Sequence, residues 1–179
     1  MKRFSVRKIA FAGVVAALYA ALTISLSFIG FGPFQFRVAE AICILPFFFP
    51  FTTWGIFIGC IIANLFSPYQ LDIVIGPIAS LLAALCTMQI GKSGRNSLKA
   101  KALACAPPVL INAVFIGLLI TFYMVGFEDS GAFMKAFMIN GLQVGFGQMV
   151  VLYGLGLPLM VYLPKIRVYE RMTEYYSRV

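Results

Sequence analysis

The feature that most constrains this chain is a succession of apolar stretches separated by short polar segments. The stretches run over residues 9–30, 38–51, 54–67, 71–91, 102–126 and 132–163. Only 11% of the residues are charged, whereas soluble domains contain about 25%. No long polar linker interrupts the pattern, and no segment has the composition of a soluble fold. The sequence therefore predicts an all-α integral membrane protein with a single transmembrane domain over residues 1–179.

The basic residues indicate which ends of these stretches face the cytoplasm. Twelve of the fourteen lysines and arginines fall in three clusters, each flanking apolar sequence. Because basic residues accumulate in cytoplasmic loops, all three clusters are expected on that side. They are Lys2, Arg3, Arg7 and Lys8, then Lys92, Arg95, Lys99 and Lys101, and finally Lys165, Arg167, Arg171 and Arg178. The net charge of +8 thus reflects membrane topology, and we expect no nucleic-acid partner.

Stretches 38–51 and 54–67 are shorter than the roughly 20 residues that cross an average bilayer. An even number of crossings must separate the first two basic clusters, which requires both short stretches to cross. The prediction is a six-transmembrane-helix bundle in the cell membrane, with both termini cytoplasmic and the first helix retained. We also predict an inner turn at residues 50–53, a loop packed at membrane depth at 31–37, and a bend in the sixth helix near Gly154, Gly156 and Pro158.

Polar residues of several helix ends converge on the outer half of this predicted bundle. Arg37 and Glu40 are three positions apart, and charged groups at membrane depth mark functional sites unless they are paired. An ion pair between them that caps the second helix is the alternative. Single amides more often hold helices together, but the combination favours a small-molecule pocket. The candidate residues are Gln35, Phe36, Arg37, Glu40, Asn64, Asp72, Asn112, Tyr123, Asn140 and Gln143, of which Asn112 lies deeper.

Several activities lack the residues that they need. The chain contains no histidine, which removes Ser-His and Cys-His nucleophiles and His-containing zinc sites. The sequence has no GxxxxGK phosphate loop, so a transporter of this kind needs a partner to hydrolyse ATP. The four cysteines are widely spaced within apolar stretches and predict no metal site. We expect a non-enzymatic protein without a cofactor.

The donors and acceptors of the candidate pocket limit its ligand. Carboxylates accept hydrogen bonds, and amides both donate and accept them. This inventory suits a small heterocycle that carries N–H donors and a carbonyl, such as a guanine-like ring, stacked on aromatic side chains such as Phe36.

Four segments resemble the QueT family of substrate-binding S components of energy-coupling factor (ECF) transporters. They are Gln35-Phe36-Arg37-Val38-Ala39-Glu40, Leu45-Pro46-Phe47-Phe48, Gly59-Cys60-Ile61-Ile62-Ala63-Asn64 and Leu71-Asp72-Ile73-Val74-Ile75-Gly76. The similarity is strongest over residues 33–91. The chain departs from the family pattern at Thr52-Thr53-Trp54 and at Gly76-Pro77, within the predicted inner turn and the entry of the fourth helix.

The resemblance implies a membrane subunit that captures a queuosine precursor, a 7-deazaguanine base or queuine, from outside the cell. It also implies a transmembrane coupling protein and two cytoplasmic ATPase subunits as partners. Glu40 or Asp72 would accept the N–H groups of the ring. Ala12, Ala16 and Ala20 recur every four residues in the first helix. Such small residues let another helix approach closely, either as a docking surface for the coupling protein or as packing within the bundle.

Two alternatives stay open from the sequence. One is an S component for another vitamin-like heterocycle. The other is a non-transport scaffold protein of the membrane, in which the polar residues only hold helices together.

Overall fold

The computed structural model describes residues 6–32, 34–93 and 96–177, and these residues form helices joined by short turns and loops. Pro33 and the basic residues Lys2, Arg3, Arg95 and Arg178 lie outside the described residues. The α-helices are α1 (Val6–Ser25), α2 (Ser27–Gly30), α3 (Thr52–Asn64), α4 (Asp72–Lys92), α5 (Leu98–Ala104), α6 (Ala106–Val125), α7 (Ser130–Val151), α8 (Leu157–Tyr162) and α9 (Arg167–Ser177). A 3₁₀ helix covers Val38–Phe47, a π-helical turn Leu152–Gly156 and a 3₁₀ turn Leu163–Lys165.

Four helical stretches are long and apolar enough to cross a membrane. These are Val6–Ser25, Asp72–Lys92, Leu98–Val125 and Ser130–Lys165. Two shorter apolar helices, Val38–Phe47 and Thr52–Asn64, lie between the first and second of them. All six predicted apolar stretches are thus helical, while the number of crossings and the side on which the termini lie remain predictions.

The second apolar stretch differs from the predicted helix over residues 38–51. It is a 3₁₀ helix of 10 residues that ends at Phe47 and contains Pro46. At about 2.0 Å per residue, a 3₁₀ helix of this length extends roughly 20 Å. The 13 residues of α3 extend about as far at 1.5 Å per residue. The 3₁₀ conformation therefore gives the shorter segment the same reach as its neighbour.

The turn predicted at residues 50–53 is present, and α3 begins within it. The Thr52 hydroxyl donates a hydrogen bond of 2.7 Å to the carbonyl of Phe49. Trp54 follows with about half of its surface exposed.

The irregularity predicted in the sixth stretch is confirmed at the expected place. The π-helical turn Leu152–Gly156 separates α7 from α8. Pro158 has no N–H to donate to the preceding turn, and a wider turn ahead of it accommodates the missing hydrogen bond. The amphipathic helix α9 was not predicted, because its charged sequence lies outside the apolar pattern.

Small residues set the closest helix contacts. A Cβ atom on Gly55 would overlap the carbonyl oxygen of Ala12. A Cβ atom on Gly59 would lie 2.6 Å from the carbonyl oxygen of Ala16 and 2.9 Å from Tyr19 Cβ. Because no side chain fits between them, α3 packs directly on the backbone of α1.

Both ends of the described chain lie at the same end of the bundle, here called the basic end. The Arg7 guanidinium lies 4.7 Å from the ring centroid of Tyr175. Phe48 follows the 3₁₀ helix, and its ring centroid lies 5.4 Å from that of Tyr169 on α9. Lys101 Nζ lies 6.0 Å from the centroid of the Phe48 ring. The described loop residues 31, 32 and 34–37 and the junction of α3 with α4 lie at the opposite end, here called the polar end.

Candidate functional site

The loop at the polar end is held in an unusual backbone conformation. Gln35 has a φ of 50°, a region that non-glycine residues seldom adopt, and its side chain is 1% exposed. A Cβ atom on Gly147 of α7 would overlap the carbonyl oxygen of Phe34. The absence of a side chain at Gly147 therefore lets the loop lie directly on α7 and directs Gln35 into the bundle.

Arg37 joins this loop to the start of α4. Its Nη2 atom lies 3.3 Å from Asp72 Oδ2 and donates a second hydrogen bond of 3.2 Å to Gln35 Oε1. The Asp72 carboxylate also accepts a hydrogen bond of 2.8 Å from the Ser67 hydroxyl. The side chains of Arg37 and Asp72 are 2% and 0% exposed. The cation of the loop is thus neutralised by a carboxylate 35 positions later in the chain.

Asn64 completes this group at the end of α3. Its Nδ2 atom donates a hydrogen bond of 2.8 Å to the backbone carbonyl of Asp72. Here "the polar cluster" denotes Gln35, Arg37, Asn64, Ser67 and Asp72.

The polar cluster keeps unused hydrogen-bonding capacity. Among the described residues, four of its buried atoms have no partner: Gln35 Nε2, Arg37 Nε, Asn64 Oδ1 and Asp72 Oδ1. Two of these atoms are donors and two are acceptors. Buried polar atoms are nearly always hydrogen-bonded, so this group is well suited to receive a ligand with both kinds of group.

Among the described residues, Glu40 forms neither a hydrogen bond nor an ion pair with Arg37. This contradicts the alternative in which an Arg37–Glu40 ion pair caps the second helix. Its Oε1 atom accepts a hydrogen bond of 2.6 Å from the Tyr19 hydroxyl and one of 3.5 Å from Ser80. Its Oε2 atom accepts from Cys43 Sγ at 3.0 Å. Both oxygens are therefore occupied by groups of the protein. Of the two candidate carboxylates, Asp72 is the one with an unpartnered oxygen within the described part of the chain.

Two other predicted residues make contacts between helix ends. Asn140 of α7 donates a hydrogen bond of 2.9 Å to the hydroxyl of Thr121 on α6. The Tyr123 hydroxyl accepts a hydrogen bond of 3.1 Å from the backbone N–H of Leu71, immediately before α4. These bonds hold helices together at the polar end, whereas Gln143 lies half-buried on α7.

Asn112 on α6 and Gln148 on α7 lie deeper in the bundle, and each side chain is 2% exposed. Asn112 Nδ2 and Gln148 Oε1 have no hydrogen-bond partner within residues 6–32, 34–93 and 96–177. They add an unpartnered donor and an unpartnered acceptor to the interior of the bundle.

Aromatic rings flank the loop. The rings of Phe34 and Phe36 are stacked with centroids 6.0 Å apart, and Phe34 meets Phe146 of α7 edge to face at 6.2 Å. Phe36 is thus next in sequence to Gln35 and Arg37 of the polar cluster, and its ring is stacked on Phe34; its stacking on a ligand stays a prediction.

The three alanines predicted as a docking surface are not equally accessible. Ala16 and Ala20 are 5% and 6% exposed, and Ala16 packs against Gly59 within the chain. This supports the alternative of packing inside the bundle for these two residues. Ala12 and Ala16 also line a groove of about 410 Å³ between α1 and α3, together with Lys8, Ile9, Gly13, Phe51, Trp54 and Ile58. The groove lies toward the basic end, and its lining is apolar except for Lys8.

Sequence reasoning missed four residues of the buried networks: Tyr19, Ser67, Ser80 and, as a candidate site residue, Gln148. Tyr19 could have been found, because its hydroxyl lies on the same face of α1 as Ala12 and Ala16 and needs a partner when buried. Ser67 and Ser80 give no such signal, since serine is common in membrane helices and their ends.

Apolar helical segments around a buried polar cluster define the chain as a multi-pass helical membrane protein. The family model of the QueT transporter matches residues 9–165, and the chain belongs to the QueT transporter family. Over 84 residues it is 37% identical to the queuosine precursor transporter QueT of Lactococcus lactis subsp. cremoris (strain MG1363). That match covers 46% of this chain and 50% of the relative, about half of its length. No solved structure matches the chain significantly.

Proposed function

We propose that the chain is the substrate-binding S component of an ECF-type importer and that it captures a queuosine precursor, a 7-deazaguanine base or queuine, from outside the cell. The polar cluster carries this proposal, because it holds unpartnered donors and acceptors in a buried setting. Membership of the QueT transporter family and the name of the Lactococcus lactis relative support the substrate class.

The chemistry of the cluster matches one edge of the ring. A guanine-like base carries a lactam N–H and an exocyclic amine side by side, and both donate. The unpartnered Oδ1 atoms of Asp72 and Asn64 accept from these groups. The other oxygen of Asp72 lies 3.3 Å from Arg37 Nη2, and this contact leaves Oδ1 for the ligand. Phe36 contributes a flat apolar surface for the ring.

The remaining parts of the importer are separate chains in this proposal. A transmembrane coupling protein docks on the groove at Lys8, Ala12 and Gly13, and two cytoplasmic ATPase subunits supply the energy. A groove with small residues lets a partner helix approach closely. In this proposal the docking surface lies toward the basic end, which is the predicted cytoplasmic side.

Binding of the purified chain tests the proposal. The protein is purified in detergent, co-purified small molecules are identified by mass spectrometry, and 7-deazaguanine is titrated by calorimetry. We expect saturable binding, and we expect Asp72→Asn to weaken it about 10- to 100-fold, the effect of losing a hydrogen bond to a charged acceptor.

Asp129→Asn is the matched control. Asp129 caps α7 at an exposed position, and asparagine caps a helix about as well as aspartate, so affinity should stay unchanged. Saturable binding of a different heterocycle in place of the deazapurine would support a substrate-binding S component and contradict a queuosine precursor as its substrate. No binding of any such compound by the folded chain would favour the scaffold alternative.

A further inference from the structure

Asn112 and Gln148 form a polar layer between two apolar parts of the core. Asn112 lies on α6 between Val109 and Ile116, and Gln148 lies on α7 between Val144 and Leu152. Val109 and Leu152 belong to one buried apolar cluster, whereas Ile116 and Val144 belong to another. The two amides therefore lie between these two apolar clusters along α6 and α7.

The register of α6 and α7 places the two amides at nearly the same level along the two helices. A Cβ atom on Gly117 of α6 would lie 2.7 Å from the Cα of Gly141 on α7. One turn further on, a Cβ atom on Gly145 would lie 3.3 Å from Ala113 Cβ. In this antiparallel pair, Asn112 is level with the residues next to Gly145, and Gln148 lies within one helical turn of it.

Gln35 reaches the same level from the loop. A Cβ atom on Gly147 would lie 3.4 Å from the backbone carbonyl carbon of Gln35, so Gln35 lies against α7 beside Gln148. Each of the three amides is at most 2% exposed, and each has one polar atom without a partner among the described residues: Gln35 Nε2, Asn112 Nδ2 and Gln148 Oε1. Helix cohesion does not account for these atoms, because interhelical bonds would satisfy them, as the Asn140 amide satisfies Thr121.

A neutral amide group is complementary to a ring edge with one donor beside one acceptor. Glutamine and asparagine bind such edges of nucleobases through paired hydrogen bonds. If Asp72 accepts from the lactam and amine N–H groups, the carbonyl oxygen, the pyrrole N–H and the ring nitrogen near that N–H are left on a 7-deazaguanine ring. The pyrrole N–H and this ring nitrogen form the edge that offers a donor beside an acceptor. A charged side chain would not match this pair, since it offers only donors or only acceptors.

We propose that Gln35, Asn112 and Gln148 form an amide subsite that reads the pyrrole N–H edge of the substrate, with Gln148 accepting from that N–H. The inference rests on the proposed function and deepens it. The subsite selects the free base over the nucleoside, because the sugar of a nucleoside occupies the pyrrole nitrogen. Gln148 is thereby a specificity-determining residue.

Two ligands and the wild-type chain give the first test. One ligand is 7-deazaguanine, and the other is its isosteric furan analogue, in which an oxygen replaces the pyrrole N–H. We expect the analogue to bind at least about tenfold more weakly, because a buried acceptor is left unpaired. Equal affinity for both ligands would overturn this inference while leaving the proposed function in place.

Variants then locate the effect. In Gln148→Met, 7-deazaguanine and the furan analogue should bind with affinities within about threefold of each other, because the amide that distinguishes them is gone. Removing the amide and removing the N–H of the ligand break the same hydrogen bond, so their effects on affinity do not add. Asn112→Leu should weaken the base about tenfold. Gln89→Met and Asn96→Leu are matched controls at exposed positions and should retain the wild-type preference.

The outcomes separate the two proposals. A wild-type preference that persists in Gln148→Met overturns the amide subsite, even where Asp72→Asn abolishes binding. Failure of the wild-type chain to bind the base overturns the proposed function and this inference with it. The comparison of the two ligands uses the wild-type chain alone, so it still tests the amide subsite if Gln148→Met does not fold.

Discussion

The guanidinium of Arg37 lies 3.3 Å from the carboxylate of Asp72, with both side chains almost fully buried. The pair connects the loop that precedes the 3₁₀ helix to the first turn of α4. It also leaves Asp72 Oδ1 and Arg37 Nε without partners in the part of the chain that the structure describes. The same two residues thus join two segments at the polar end of the bundle and keep the donor and the acceptor that the proposed ligand would use.

Arg37→Gln should destabilise the folded chain by about 3–5 kcal/mol, because it leaves the charge of Asp72 buried without its cation. The double variant Arg37→Gln, Asp72→Asn should be less destabilised than the sum of the single variants, since neither charge remains. Denaturant unfolding in detergent, followed by circular dichroism, measures the differences.

Lys135→Gln is the control for charge removal. Lys135 is exposed on α7, so the expected change is within about 0.5 kcal/mol. Strictly additive effects of the Arg37 and Asp72 substitutions would show that the two side chains do not stabilise each other.

Tyr19→Phe should lower the free energy of unfolding by about 1–3 kcal/mol, because it removes the 2.6 Å hydrogen bond to the buried Glu40. Affinity for 7-deazaguanine should change less than about threefold, since Glu40 uses its oxygens within the protein. Tyr162→Phe, which removes an exposed hydroxyl, is the matched control for stability. A large loss of affinity for 7-deazaguanine without a loss of stability would indicate that Glu40 contacts the ligand.

The helical stretches could be predicted from the sequence because burial in lipid leaves a continuous apolar pattern. An irregularity near Pro158, seen as the π-helical turn Leu152–Gly156, could also be predicted, since proline lacks the N–H that a regular helix needs. The 3₁₀ form of Val38–Phe47 could not, because apolar periodicity over ten residues does not separate it from an α-helix. Helix α9 lies outside the apolar pattern and left no comparable signal.

The sequence predicted which residues belong to the candidate site better than it predicted which of them bind one another. Gln35, Arg37, Asn64 and Asp72 were all identified as polar residues in an apolar setting, and the structure brings them together. An ion pair between Arg37 and Glu40 was the alternative that the sequence left open, because the two are three positions apart. The structure instead pairs Arg37 with Asp72, a choice that depends on where α4 begins relative to the loop, which only the assembled bundle determines.

Gly147→Ala should displace the loop from α7 and weaken binding of 7-deazaguanine by at least about tenfold. The added Cβ would overlap the carbonyl oxygen of Phe34, so the backbone that presents Gln35 must move. Gly154→Ala adds the same methyl group where nothing lies within 4 Å, and it should bind normally. Titration of both variants by calorimetry tests the expectation, and equal affinities would show that the loop position does not govern binding.

Gly13→Leu should weaken assembly with the coupling protein and leave binding of the base unchanged. Gly13 lines the groove between α1 and α3, and nothing lies within 4 Å of a Cβ placed there, so a larger side chain fills the groove without disturbing the chain itself.

Ala16→Leu would not separate these effects, because Ala16 packs on Gly59. Ala21→Leu is the control, since Ala21 is exposed on α1 outside the groove lining. Co-purification of the coupling protein with each tagged variant measures assembly. Undiminished recovery with Gly13→Leu would place the docking surface elsewhere on the bundle.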